Sequence, residues 1–254
     1  MSSGTLGILG AMPEEIAAIE PLLRETSFLE CAGRRFVRGR FVNTDIVVVF
    51  SRWGKVAAAS TATELIVAHD VRRIVFTGIA GGLVPALAPG DIVVAERLYQ
   101  HDLDASPFFP PTEIPLLGVA AIAADPVMST GLLHAASEFL ARDLTTALDP
   151  EIIRSLRLHQ RHARRGDIAS GDRVIGDARA RGAVLGRVPS AVCVEMEGAA
   201  VAQVCHEHRV PFACVRTISD TADDGIHDSF KAFLGGPAAA YSAGVLLRWL
   251  SATG

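Results

Sequence analysis

The chain has no excess of basic charge. It carries 24 lysines and arginines against 28 aspartates and glutamates, a formal net charge of −4. No basic stripe forms, and the arginines between residues 161 and 165 are a local cluster. Nucleic acid and anionic membrane surfaces are therefore not expected as partners. Long apolar runs are missing as well: none approaches the ~20 residues of a membrane-spanning helix. The start, MSSGTLGILGAM, lacks the basic flank and long apolar core of a signal peptide, so a cytoplasmic protein is expected. Cysteine is scarce. Cys31, Cys193, Cys205 and Cys214 show no paired metal-site spacing, and three of them sit in apolar runs as small buried hydrophobes of a reducing compartment. His206 and His208 lie two apart and share no helix face, and His101, Asp102 and Asp104 lack partner ligands at helical spacing. No metal is expected from either group. Linkers, repeats and low-complexity tracts are also absent, so residues 1–254 are expected to form one domain.

What the chain has is an alternation of short apolar runs and amphipathic stretches, with half of its 254 residues hydrophobic. That is enough to bury a full core. Residues 6–9 read as a first strand ending at Gly10. Pro13-Glu14-Glu15 then opens a helix, with proline at its first position and acids in its first turn, and an apolar face at Ile16, Ile19, Leu22 and Leu23. Residues 36–40 and 45–50 read as a strand pair joined through Asn43-Thr44. Further strands are expected at 73–77, 91–95, 166–170, 192–194 and 212–218, and helices at 57–69, 129–141, 150–156, 197–208 and 236–250. Strands alternating with helices predict an α/β protein with a parallel or mixed sheet.

Two carboxylates close apolar strands: Glu197 after residues 192–194 and Asp220 after residues 212–218. A strand ending in a carboxylate puts that charge at a sheet edge, where α/β proteins bind ligands. The charge is costly there without a partner. The plainer alternatives are helix capping for Glu197 and, for Asp220, an Asx turn into Thr221-Ala222-Asp223-Asp224. A strand also leads into a helix start at residues 10–15, a natural anion site. Glu14 and Glu15 fill it with acids that would repel phosphate. One of them is suited to take a proton from water, and dipole complementarity is the alternative. The glycines of residues 78–82 allow a ligand to approach the backbone or form a tight turn; they do not match the G-x-G-x-x-G dinucleotide pattern. Residues 101–117, with four prolines, form the longest irregular stretch.

Four pieces in this order, GAMPEEI at residues 10–16, TGIAGGL at 77–83, VEMEGAA at 194–200 and RTISDTAD at 216–223, resemble the 5′-methylthioadenosine/S-adenosylhomocysteine nucleosidases within the purine nucleoside phosphorylase-like superfamily. WGKVAAA at 53–59, GDIVVA at 90–95, SGD at 170–172 and DSFKAFL at 228–234 extend the likeness over nearly the whole chain. The resemblance implies a single three-layer α/β/α domain around a mixed, partly closed central sheet. It also implies a homodimer, a small-molecule purine nucleoside as substrate, and hydrolysis of the adenine–ribose bond with no cofactor and no metal.

By the same resemblance, Asp220 is the general acid that protonates the departing adenine, which requires a proton held near neutral pH. Glu15 is the base that activates water on the opposite face of the sugar, kept ionised by its place in the first helical turn. This is the two-carboxylate logic of glycoside hydrolysis. Arg216 steers Glu15 and the water. Glu197 binds the ribose hydroxyls, since a carboxylate accepts two hydrogen bonds from a diol. Met196 lies under the sugar, the backbone at Ile175 recognises the adenine edge, and Phe230 packs on the base or the 5′ side. Met12 and Trp53 match the alkylthio pocket. Ile79, Ala80, Gly81, Val174 and Ser219 complete the implied substrate-binding set, and Phe108 and Phe109 are expected to close the partner's pocket. Some positions depart from the family pattern: Ile79 stands where serine is usual, Val174 where an aromatic often stacks on adenine, and Arg52 where glycine is usual. Arg52 keeps a phosphate-using phosphorylase open as an alternative, beside a non-catalytic nucleoside-binding protein and a futalosine-type nucleosidase.

Overall fold

The computed structural model describes residues 4–222 and 226–253. In chain order the elements are β1 (Thr5–Gly10), α1 (Pro13–Ile16), β2 (Arg24–Cys31), β3 (Arg34–Phe41), β4 (Thr44–Phe50), α2 (Lys55–Val67), β5 (Val71–Gly82), β6 (Ile92–Gln100) and β7 (Ala121–Ala123). They continue with α3 (Pro126–Arg142), α4 (Leu144–Ala147), α5 (Pro150–Ser155), β8 (Ala163–Ser170), α6 (Ala178–Arg187), β9 (Ala191–Glu195), α7 (Gly198–His208), β10 (Phe212–Asp220), α8 (Ile226–Leu234) and α9 (Pro237–Thr253).

The sheet closes on β5. This strand pairs in parallel with β1 and β10 and, at Gly81 and Gly82, antiparallel with β9. The ring β5–β10–β6–β8–β9 returns to β5, while β1, β4, β3 and β2 continue outward as an open extension. β8 runs parallel to β6 and β9, and β10 antiparallel to β6, so the sheet is mixed and partly closed, as the family likeness implies. Helices α2 and α7 pack together against it, as do α3 and α9. The core is built from the strands' continuous apolar runs, such as Leu6, Ile8 and Leu9 of β1 and Ile74, Val75 and Phe76 of β5. No helix among the described residues is long and apolar enough to cross a membrane.

Several elements differ from the sequence expectation for identifiable reasons. The first helix stops at Ile16 and a 3₁₀ turn takes over at Glu20–Leu22. Pro21 explains the break, because inside a helix it removes a donor and clashes with the preceding turn. The β3–β4 hairpin turns at Val42-Asn43, one residue earlier than expected, with Val42 at φ 51°. β2, β7, α4, α6 and α8 carry no expected counterpart: β2 is an exposed edge strand without a buried face, β7 and α4 are only three and four residues long, and α6 is marked mainly by the Asp177 cap, which accepts from Ala180 N–H at 2.7 Å. Residues 78–82 form no turn; they lie inside β5. Asp223 and Asp224 of the expected turn fall outside the described residues.

Candidate active site

The site is laid out by the pairing of β10 with β5. Arg216 stands opposite Gly78 and Asp220 opposite Gly81, with a register shift between Ile218 and Asp220 that re-aims the strand end. The glycines are required by what faces them. A Cβ on Gly78 would collide with Glu15 Oε1 and Arg216 Nη1, and one on Gly81 would stand 3.0 Å from Asp220 Oδ1. The two acids thus stand at stations three residues apart on β5, roughly 10 Å of strand.

Glu15, in the short helix α1, turns its side chain back under the preceding chain. Its Oε2 accepts from Ala11 N–H at 2.6 Å and Met12 N–H at 3.0 Å, and its Oε1 accepts from Ile79 N–H at 3.0 Å. Glu15 is fully buried. Burial pushes its pKa above the ordinary 4.5, opposed by the Arg216 charge and the three N–H donors. Desolvation is the largest influence and moves the group toward neutrality, while Arg216 and the three N–H donors favour the ionised form.

Glu197 sits at the N-cap of α7 but caps nothing with its side chain. Its Oε1 accepts from Gly54 N–H at 2.8 Å, a donor held at φ 93° before α2. Burial, reinforced by the neighbouring Glu195 carboxylate, pushes Glu197 up to about 8, while Arg216 and Gly54 N–H pull the other way. The capping task falls to Glu195, which accepts from Glu197 N–H at 3.0 Å and Gly198 N–H at 2.8 Å. Glu195 also accepts from Arg216 Nη2 at 2.5 Å and from Ser170 Oγ. Its place in the E-M-E triplet was visible in the sequence, but nothing there distinguished its task from that of Glu197. Asp220 Oδ1 accepts from Ala222 N–H at 2.8 Å, the Asx-type bond weighed above, and Oδ2 accepts from Ser219 Oγ at 2.6 Å.

Glu15, Glu197 and Asp220 line one cavity of about 580 Å³, measured to its open mouth. Met12, Trp53, Ile79, Ala80, Gly81, Val174, Met196, Ser219 and Phe230 join them. Trp53 and Phe230 meet edge to face, with centroids 6.0 Å apart. Two expected site residues are absent from the lining. Arg216 is buried, its guanidinium carbon 3.9 Å from the centre of the Phe76 ring. The Ile175 side chain is buried in a small apolar cluster with Leu83, Val194 and Ala222. Arg52 also turns away, its Nη2 donating to Gly33 C=O at 2.8 Å. The cavity's one lining cation among the described residues is Arg173. His101 is buried, Asp102 accepts from Lys55 Nζ at 2.6 Å, and Asp104 pairs with Arg187 at 2.8 Å, so the two acids of that group are engaged in ion pairs.

The sequence pattern of the phosphorylase superfamily matches residues 5–247. The chain is 36% identical to an aminodeoxyfutalosine nucleosidase of Helicobacter pylori over 230 residues, 90% of this chain and 91% of that protein. Its fold is similar to that of a 5′-methylthioadenosine/S-adenosylhomocysteine nucleosidase of Colwellia psychrerythraea solved in complex with adenine, with a TM-score of 0.83, 31% identity, and coverage of 98% of this chain and 95% of that one. The native futalosine hydrolase of Helicobacter pylori gives a TM-score of 0.82 and 32% identity, covering 98% and 97% of the two chains.

Proposed function

Because the chain belongs to the phosphorylase superfamily, we propose that it is a purine nucleoside N-glycosidase that releases adenine by hydrolysis. The observation that carries this reading is the convergence of Glu15, Glu197 and Asp220, from three distant stretches of chain, on one cavity. Asp220 gives its proton to the adenine ring as the C1′–N bond breaks. Glu15 takes a proton from water as its oxygen bonds to C1′, and the products are adenine and the free sugar. Glu197 accepts hydrogen bonds from the ribose diol through the capacity that Gly54 N–H leaves open. Arg216, buried outside the lining, orients Glu15, and Met196 supports the sugar. Val174 and the main chain at Ile175 bound the adenine side; Met12, Trp53 and Phe230 bound the 5′ side.

Hydrolysis is favoured over phosphorolysis by the lining. A phosphate nucleophile needs cations facing the sugar. Arg52 is turned onto Gly33, Arg216 is outside the lining, and among the described residues the lining sets one cation, Arg173, against the four acids Glu15, Glu195, Glu197 and Asp220. For the 5′ substituent, the leading substrates are 5′-methylthioadenosine and S-adenosylhomocysteine. Aminodeoxyfutalosine is the second reading, favoured by the relative that is 36% identical. A homodimer, with Phe108 and Phe109 closing the neighbour's pocket, fits the 86% exposure of Phe108.

The test is product analysis on a panel of these nucleosides, with and without phosphate. Adenine and free sugar at a phosphate-independent rate are expected. No adenine from any of them, or a sugar phosphate as product, would discard the proposal. In the same assay Asp220→Asn should slow release by at least ~100-fold, the contribution typical of a general acid, while still binding a non-hydrolysable analogue.

A further inference from the structure

Glu195 has no part in the steps above, yet it also lines the cavity and, among the described residues, takes more hydrogen bonds than the other acids there. It closes β9, and its side chain is buried. Ser170 Oγ at the end of β8, the N–H groups of Glu197 and Gly198 at the start of α7, and Arg216 Nη2 on β10 all donate to it. Its 2.5 Å bond to Nη2 is Arg216's only ion pair among the described residues. The guanidinium's other donors, Nε and Nη1, have no hydrogen-bond partner among the described residues. Nη1 and Glu15 Oε1 both stand at the Cβ-less face of Gly78, where a Cβ would collide with each. One guanidinium is therefore anchored on one side by Glu195, set against the Phe76 ring, and left with open donors beside Glu15.

We propose that Glu195 is a positioning residue for the hydrolytic reaction: it tethers Arg216 so that the guanidinium's free donors face Glu15 and the attacking water. This rests on the nucleosidase reading. A helix cap alone needs only the α7 amides; here the same carboxylate is shared between those amides and a buried cation. Arg216 Nη2 and the Glu197 and Gly198 N–H groups share Oε2, so glutamine with its oxygen there keeps these bonds but loses the charge that faces the buried guanidinium and turns its NH2 toward Ser170 Oγ and the Gly198 N–H. Aspartate, one methylene shorter, cannot reach Arg216 and cap α7 together.

The experiment is a double-mutant cycle on adenine release with Glu195→Gln, Arg216→Lys and the pair. Glu195→Gln is expected to lower kcat about 100-fold, as misplacement of a reacting group does, with KM within about 3-fold of the wild type. On the Arg216→Lys background the same change should cost less than about 3-fold more, since residues acting as a unit are not additive. Losses that multiply, or a raised KM with kcat kept, would mean a structural cap and overturn the proposal. Crystal structures of the wild type and Glu195→Gln give a readout independent of turnover. The guanidinium should leave its place between Phe76 and Gly78, and an unmoved guanidinium overturns the tether even if the wild type cleaves none of the nucleosides, an outcome that would sink the nucleosidase reading by itself. If Glu195→Gln does not fold, Glu195→Asp serves: a lower kcat with a displaced Arg216 supports the tether, and an unchanged kcat and position refutes it.

Discussion

Glu197 shows what burial does to a single side chain. Its carboxyl is held at about 8 in the folded chain, against an ordinary 4.5 once unfolded. Between those values the folded form keeps a proton that the unfolded form has released. The stability that this proton contributes is fully present below about pH 4.5 and is lost as the pH rises through about 8. Thermal unfolding of the ligand-free protein should therefore show Tm declining over this window, and Glu197→Gln, which cannot ionise, should flatten the decline. An unchanged slope in the variant would contradict the assignment. Glu15, also raised by burial, adds to the same slope in both proteins. At this scale the sequence exposed the acids but not their states. A strand end and a helix start are readable from residue types, whereas desolvation depends on everything that folds over them.

β5 carries the same lesson for elements. Its glycines were legible as a cluster, and the sequence left open whether they turn the chain or admit a ligand. The strand in fact runs straight through them, and each of two glycines faces a charged β10 side chain, Gly78 with Arg216 and Gly81 with Asp220. Gly78→Ala would drive a methyl group into Glu15 Oε1 and Arg216 Nη1. Overpacking of this kind costs about 1–3 kcal/mol, and the groups that must move are those assigned to water activation. Adenine release should fall by at least about 10-fold, a larger relative loss than the shift in urea midpoint implies; full activity in this variant would show that the close approach is dispensable. The elements that sequence patterning missed failed it for physical reasons. β2 buries neither face and so has no apolar alternation, and the helix expected beyond Ile16 is broken by Pro21.

Over the whole molecule, the cavity opens past Trp53, itself 53% exposed, while Phe108 on the proline-rich stretch also faces solvent. Apolar surface of this kind is what a second subunit covers. Light scattering should give about twice the 26.8 kDa of one chain, and Phe108→Ala should raise KM for nucleosides more than it lowers Tm; a monomeric, fully active protein would remove the shared pocket. The sequence by itself determined the alternation of strands and helices, the positions of Glu15, Glu197 and Asp220 at element ends, and the ordered motifs of the family, because periodicity, capping and strand termini are written in neighbouring residues. Only the tertiary structure decided that the sheet closes through β5, that Arg216 and Ile175 lie outside the cavity lining, that Arg52 turns away, and that Glu195 caps the helix in place of Glu197. Those outcomes depend on pairing between β5 and β10, some 140 residues apart at Gly78 and Arg216, and on the desolvation that the pairing imposes.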